Sequence, residues 1–248
     1  MDGICYTELY ETYKLQESRC ATFLDEWMTF SIDVGTRCRF IAIEWLCALC
    51  YEHELELQVV VMACSLTDRY MCKKSVLLQE FQLLVCSCII IASKYYECEL
   101  KVDRMSYMSD GSCSSASILK MEECVLKTLD YSFHFANVCV FVDLFLYCRG
   151  QIEDAKICEF LVCCCLLDVQ YLSFAPSLLA ECIIRFATQR CDTTQRCGPN
   201  QFEHFEKSCT VPCERFVANS YGKVMLLKDK DIFIKVVFKD CISKFSLL

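Results

Sequence analysis

The spacing of apolar residues constrains the fold of this chain most, because it recurs at the three- and four-residue intervals of an α-helix. One apolar stripe runs through residues 81–95 and another through residues 157–171. The members of the two stripes are Phe81, Leu84, Val85, Cys88, Ile91, Ala92 and Tyr95, and Ile157, Phe160, Leu161, Cys164, Leu167 and Tyr171. No sustained two-residue alternation competes over the middle of the chain, and only residues 224–238 are ambiguous. We therefore expect an all-α fold.

Glycine and proline are rare and mostly stand where a helical pattern breaks, as at Gly35, Gly111, Gly150 and Pro176. These breaks predict four segments. They are an N-terminal helix in residues 1–33, a first bundle in 34–133, a second bundle in 134–221, and a closing helix or tail in 222–248.

A weak internal repeat supports two bundles of one kind. LLVCSCIIIASK, residues 83–94, aligns without gaps to LLAECIIRFATQ, residues 178–189. In the same order, LTDRYM at residues 66–71 matches LLDVQY at residues 166–171. A chance match of apolar helices is the alternative, but the preserved order favours two copies of one helical unit.

The composition excludes several classes of protein. Hydrophobic residues make up 55% of the chain, yet the longest stretch without Asp, Glu, Lys or Arg, residues 81–93, is too short to span a bilayer. The net charge of −8 disfavours nucleic acid and favours basic partners. We expect no membrane and no nucleic acid among the partners.

The chain has 24 cysteines, which in a short secreted chain would indicate a disulfide scaffold. However, the N-terminus is acidic and polar with no signal peptide, and the cysteines lie at core positions of the helical pattern. We expect reduced thiols that act as small hydrophobic residues. Cys47 and Cys50 form a C-x-x-C, but no second pair stands at zinc spacing, so we expect no metal and no cofactor.

Charged residues within apolar helical sequence carry the most specific signal. The charged residues are Arg39 in CRFIAIEW, Asp68 in DRYMCKK, Lys94 in IIIASKYYE and Glu122 in ILKMEECVLKTLDYSF. Trp45 follows Arg39 in the first of these segments. In this order and spacing they resemble the first box of the cyclin family. With LLDVQYLSFAPSLLAECII in the second half, the resemblance covers residues 36–189 and is closest to D-type cyclins and the cyclins encoded by gammaherpesviruses.

The resemblance implies two tandem five-helix cyclin-box bundles with an N-terminal helix. It implies a regulatory subunit that binds and activates a cyclin-dependent kinase as a heterodimer, with all catalytic residues in the partner. Lys94 and Glu122 would hydrogen-bond the kinase near its regulatory helix, beside Tyr95, Tyr131 and Phe133. From the residues alone, each charge interrupts an apolar stripe and needs a polar partner. The alternatives are that both side chains reach water or pair with each other.

By the same resemblance, Arg39 and Asp68 form a buried ion pair that ties the first helix of the box to the second. A substrate-docking patch would comprise Cys38, Ile41, Ala42, Trp45, Gln82 and Leu83. The side chains on its first helix are smaller than those typical of the family, which makes the groove shallower. The short chain resembles a virus-encoded cyclin that drives the host cell cycle, and we expect it in the nucleus and cytoplasm of the host cell.

Two other functions are alternatives to a kinase regulator. A two-box transcription factor of the TFIIB type would share the fold, but the basic helices with which it grips DNA are missing. A thiol enzyme would need a cysteine activated by His134 or His204, and no local motif supports one. The sequence also has no Gly-rich phosphate loop, Walker pattern or nucleophile elbow.

Overall fold

A computed structural model describes residues 6–19, 24–98, 100–133, 135–190 and 207–227 of the chain. Every regular element in these ranges is a helix, so the predicted all-α fold is confirmed. The described α-helices are α1 (Tyr6–Arg19), α2 (Leu24–Phe30), α3 (Gly35–Glu52), α4 (Leu57–Met71), α5 (Leu78–Tyr95), α6 (Val102–Met108), α7 (Ser115–Thr128), α8 (Val138–Arg149), α9 (Ala155–Leu166), α10 (Pro176–Arg190) and α11 (Lys207–Leu227). Two short 3-10 segments, Ile152–Asp154 and Val169–Ser173, flank α9.

The helices form two compact units. The first unit, residues 22–134, contains the five-helix bundle α3–α7 together with the short helix α2. Helix α4 packs against α5, α3, α2 and α7, and α5 packs against α7. Trp27 of α2 is fully buried in this unit. The kinase-binding residues that the resemblance marks all lie in this first unit.

The second unit contains α1 and α8–α11, from residues 1–21 and 135–248. Its helix α10 packs against α8, α9 and α11, and α1 packs against α8 and α10. The rings of Tyr10 and Tyr13 contact Phe141 of α8 edge-on. The Glu17 carboxylate of α1 accepts hydrogen bonds from the backbone N–H of Ser177, at 2.6 Å, and from its hydroxyl, at 3.0 Å, at the start of α10.

The N-terminal segment differs from the expected single helix in residues 1–33. The structure has two helices there, α1 and α2, and they belong to different units. The reason is long-range packing, because the aromatic face of α1 packs against α8, which lies far along the chain. Of the tail expected in residues 222–248, the part from residue 228 onward lies outside the described residues. Residues 222–227 belong to α11.

Local chemistry explains several helix ends. The Ser114 hydroxyl accepts a hydrogen bond from the backbone N–H of Ser117 and caps α7. Asn137 caps α8 in the same way, and Gly150 ends α8 in a left-handed conformation with φ of 65°. Pro176 is the first residue of α10, where its missing N–H costs nothing.

The longer match of the internal repeat lies in a helix of each unit, whereas the shorter match pairs the end of a helix with a segment that is mostly turn and 3-10 helix. Residues 83–94 lie in α5 and residues 178–189 lie in α10, the third long helix of each bundle. Residues 66–71 end α4, and residues 166–171 begin at the end of α9. Each unit therefore places a strongly apolar helix at its centre, which accounts for the similarity of the two sequences.

Most described cysteines lie in the core. Thirteen of the eighteen cysteines whose side chains the structure describes are buried, and all eighteen are free thiols. Among the described residues, no helix is long and apolar enough to cross a membrane. Within the same ranges, no three His, Cys, Asp or Glu side chains converge on a possible metal position.

An ion pair between Arg39 of α3 and Asp68 of α4 lies inside the first unit. The guanidinium Nε donates to Asp68 Oδ1 and its Nη2 donates to Oδ2, each at 2.8 Å. Both side chains are 1% exposed. A two-point bond between desolvated ions fixes distance and orientation together, so this pair sets how α3 crosses α4.

We expect Arg39→Ala to lower the free energy of unfolding by about 3–5 kcal/mol, because it leaves the Asp68 carboxylate buried without its partner. Denaturant unfolding of the purified chain measures this. The control is Arg37→Ala on the same helix, where the side chain is exposed and a change near zero is expected. An unchanged unfolding midpoint for Arg39→Ala would contradict the structural role of the pair.

The buried thiols predict a loss of stability at alkaline pH. Burial raises the pKa of Cys88 to about 12 and raises the pKa of Cys64 and Cys139 well above the ordinary value. Unfolded thiols ionise above about pH 8.5, so at higher pH the folded chain binds more protons than the unfolded chain. The stabilisation is complete below that pH and is lost as the pH rises toward the folded-state pKa.

We therefore expect a melting temperature that is steady from about pH 7 to 8 and then falls, with each buried thiol removing up to about 1.4 kcal/mol per pH unit. Thermal scans in a series of buffers measure it, and repeating them at high salt controls for repulsion between surface charges, which salt screens. A melting temperature that does not change through pH 10 would show that the core thiols do not behave as described.

Candidate functional site

The two charged residues expected at a binding surface lie side by side on α5 and α7. Lys94 is in the last turn of α5 and Glu122 is in the middle of α7. The Lys94 ammonium donates to both carboxylate oxygens of Glu122, at 2.7 and 2.8 Å. The Lys94 side chain is 54% exposed and the Glu122 side chain 11%. The structure thus brings the two together, which was one of the open alternatives.

This pairing leaves capacity for a further partner. An ammonium has three N–H donors, two of which point to Glu122, and a carboxylate can accept about four hydrogen bonds. Lys94 reaches the protein surface while Glu122 remains nearly buried. Glu122 therefore holds the Lys94 side chain in one position at the edge of the apolar face.

Each member of this pair has an exposed apolar or aromatic neighbour on its own helix. Tyr95 follows Lys94 and is largely exposed, with its ring edge-on to that of Tyr96 at 5.1 Å. Leu119 lies one turn before Glu122 on α7 and is also exposed. We call the set Lys94, Tyr95, Leu119, Glu122 and Tyr131 the α5–α7 surface. The sequence analysis missed Leu119, although its three-residue spacing from Glu122 puts it on the same face.

Tyr131 stands in an unusual turn after α7. Asp130 and Tyr131 have φ angles of 52° and 53°, so two consecutive residues other than glycine are left-handed. This conformation costs about 1–2 kcal/mol per residue for side chains with a Cβ. The turn leaves Tyr131 59% exposed, whereas Phe133 is half-buried.

The expected docking patch lies on α3 and α5, which pack against each other. Its residues are Cys38, Ile41, Ala42 and Trp45 on α3, and Gln82 and Leu83 on α5. Ile41 and Gln82 are exposed, and the other four are half-buried. Leu78, one turn before Gln82, is also exposed and was missed by the sequence analysis. We call this patch, together with Leu78, the apolar strip. Only Cys38 and Ala42 in it are small.

An acidic pocket begins at Trp45 and continues beyond the end of α3. It has a volume of about 700 Å³ and lies between the second half of α3 and the segment of α6 and its following turn. Glu52, Asp103 and Asp110 contribute carboxylates to it, while no lysine or arginine is among the described residues that line it. The Asp103 carboxylate also accepts a hydrogen bond from the Ser115 hydroxyl at 2.6 Å. The pocket suits a basic group and lies next to the apolar strip.

The chain matches the cyclin N-terminal domain family over residues 8–134, which is half of its length. A G2/mitotic-specific cyclin-2 from Medicago sativa is 28% identical over 192 residues, covering 76% of this chain and 54% of the relative. Cyclin-A1-1 from Arabidopsis thaliana is 23% identical over 232 residues, covering 88% of this chain and 50% of the relative. The chain spans about half the length of these relatives.

Two solved structures share the fold. A viral cyclin from herpesvirus saimiri superposes with a TM-score of 0.76 at 19% identity, covering 86% of this chain and 96% of that chain. A chain of the yeast RNA Pol II CTD kinase CTDK-1 complex superposes with a TM-score of 0.58 at 11% identity, covering 84% of this chain and 71% of that chain.

These comparisons support the resemblance at the level of the family. The named relatives are plant mitotic and A-type cyclins, whereas the sequence had pointed to D-type and gammaherpesvirus cyclins. Similarity to the viral structure at 19% identity shows the fold alone. From the motifs, the helical bundle and the match over residues 8–134, the chain belongs to the cyclin family.

Proposed function

We propose that the chain is a regulatory subunit that binds and activates a cyclin-dependent protein kinase, and that the α5–α7 surface is where the kinase binds. The observation that carries the proposal is the Lys94–Glu122 pair, a partly exposed charge held by a nearly buried one among exposed apolar side chains. Membership in the cyclin family and the fold shared with a chain of a kinase complex support it.

The composition of the surface suits a protein partner. Tyr95, Leu119 and Tyr131 are large exposed side chains, and the first two neighbour Lys94 and Glu122 along their helices. Tyrosines at a protein interface supply large contact area with few rotatable bonds, and they are enriched among the residues that dominate binding energy. A prepositioned lysine can then donate to a backbone carbonyl of the partner without a large loss of side-chain entropy.

The proposed mechanism leaves all chemistry to the kinase. By resemblance to the family, the first unit would press the regulatory helix of the kinase inward and release its activation loop. This completes the Lys–Glu pair and the magnesium geometry on which phosphoryl transfer depends. The chain itself would contribute binding energy that favours the active conformation of its partner.

A virus-encoded origin, with a role in driving the host cell cycle from the nucleus and cytoplasm, is a narrower expectation. It is supported by the fold match with a viral cyclin, which covers 96% of that chain at 19% identity. It stays a prediction.

We also propose that the apolar strip and the acidic pocket together dock kinase substrates. A segment with a basic residue next to apolar residues would place its cation near Glu52, Asp103 and Asp110, and its apolar side chains on Ile41 and Leu78. The small side chains Cys38 and Ala42 limit the depth of the strip, so the carboxylates would supply much of the selectivity.

Replacing both charges of the pair, Lys94→Ala with Glu122→Ala, should weaken kinase activation by orders of magnitude at nearly unchanged stability. Truncating one member of a buried charged hydrogen bond across an interface typically costs about 2–5 kcal/mol. Removing both members leaves no buried charge unpaired within the chain. The measurement is a titration of histone phosphorylation by a panel of purified monomeric cyclin-dependent kinases, alongside melting curves.

The matched control is Lys127→Ala with Glu123→Ala, an exposed pair on the same helix with an Nζ to Oε1 distance of 2.5 Å. It removes the same charges and should leave activation unchanged. Equal activation by the Lys94 and Glu122 variant and the wild-type chain would reject the surface. Loss of folding in that variant would make the pair structural.

For the docking pocket, Glu52→Gln with Asp110→Asn should raise KM severalfold for a substrate that carries a distal basic and apolar segment, since exposed ion pairs contribute about 0.2–1 kcal/mol each. The KM of a short peptide limited to the phosphorylation site should not change. The control is Glu97→Gln with Asp33→Asn, which removes the same number of negative charges at residues outside the pocket. Equal effects on both substrates would show that the pocket does not dock them.

A further inference from the structure

The turn after α7 has backbone torsion angles that residues of these types adopt only where the surrounding structure restrains them. Asp130 and Tyr131 are both left-handed, and a bulky aromatic residue rarely adopts that region. No glycine relieves the turn, since the residues that follow Thr128 are Leu129, Asp130, Tyr131 and Ser132. Strained backbone of this kind persists where the surrounding structure overdetermines it, and such positions cluster at functional sites.

Backbone hydrogen bonds supply part of the restraint. The N–H of Tyr131 donates to the carbonyl of Leu126 at 2.9 Å, and the N–H of Ser132 donates to the carbonyl of Leu129 at 3.0 Å. These bonds close the end of α7 in the manner of a left-handed helix cap. A cap of this type ordinarily uses glycine, so the bonds alone leave the steric cost at Asp130 and Tyr131 in place.

Helix α4 supplies a second restraint from outside the turn. Arg69 Nη1 donates to the carbonyl of Ser132 at 3.0 Å, immediately after the left-handed pair. Just beyond the end of α4, Lys73 Nζ lies 3.4 Å from the Thr128 carbonyl and 3.7 Å from the Asp130 carboxylate. The Lys73 and Asp130 side chains are both largely exposed, so water screens that pair. The Arg69 bond is also exposed to water, but it is the shorter one and joins the turn beyond the strained residues.

We propose that Arg69 is a positioning residue for the α5–α7 surface. Its guanidinium holds the Ser132 carbonyl and thereby fixes the left-handed turn that presents Tyr131 to the partner. The consequence for binding rests on the proposed function, while the restraint of the turn is a property of the free chain. Arg69 thus acts through Tyr131 and need not touch the kinase itself.

The test uses the whole chain in four forms: wild type, Arg69→Met, Tyr131→Ala and the double variant. Methionine keeps an unbranched side chain that favours the helix and removes the charged donor. Lys127→Met, near the same end of α7, is the control for loss of one positive charge. Amide hydrogen exchange is measured at Tyr131 and Ser132 in the free chain, with melting curves to verify folding.

The restraint predicts that Arg69→Met speeds exchange at these two amides about tenfold, because a hydrogen bond from a charged donor typically contributes a factor of that order, and that Lys127→Met does not. Unchanged exchange in Arg69→Met, or the same increase in Lys127→Met, would overturn the assignment.

The second readout is binding affinity for one kinase, namely the member of the panel that is activated most strongly by the wild-type chain. Arg69→Met should weaken binding about tenfold in the wild-type background and have almost no further effect when Tyr131 is already alanine, as expected of coupled residues. Independent losses that add in the double variant would overturn the proposal. If the wild-type chain binds no kinase of the panel, the proposed function fails, and the exchange data still decide whether Arg69 holds the turn.

Discussion

The first unit depends on the ion pair between Arg39 and Asp68. Two fully desolvated ions are stable only with each other, so α3 and α4 have one relative placement in which neither charge is stranded. Helix α4 in turn packs against α5 and α7, the two helices that carry Lys94 and Glu122. The buried ion pair therefore fixes the arrangement of the helices that carry the α5–α7 surface.

The two charged pairs of the first unit differ in burial, in keeping with a structural role for one and the proposed kinase-binding role for the other. Arg39 and Asp68 are equally buried and satisfy each other through a two-point bond. Lys94 and Glu122 are unequally buried, and the exposed ammonium keeps a donor directed outward. The same types of residue can thus serve opposite roles, and the difference in burial between the partners distinguishes them.

The sequence predicts the helices well because their signals are local. The three- and four-residue spacing, the glycine at position 150 and the proline at position 176 each act within a turn or two. The assignment of α1 to the second unit could not be predicted, since Tyr10 meets Phe141 only after folding. At the candidate site, the interrupted stripes indicated that Lys94 and Glu122 each needed a polar partner, but they left open whether the two residues pair with each other, reach water or bind a partner protein. The left-handed turn at Asp130 and Tyr131 could not be predicted either, because it contains no glycine, the usual signal of such a turn.

The discontinuous second unit has a consequence for the order of events during synthesis. Residues 22–134 form one continuous unit and can fold as soon as they leave the ribosome, whereas α1 must wait for α8 and α10. Glu17 and Ser177 are 160 residues apart, so at typical rates of translation the wait is on the order of ten to thirty seconds. Throughout that interval the segment that will form α1 exposes its tyrosines without α8 to pack against, which makes it a natural target for a chaperone.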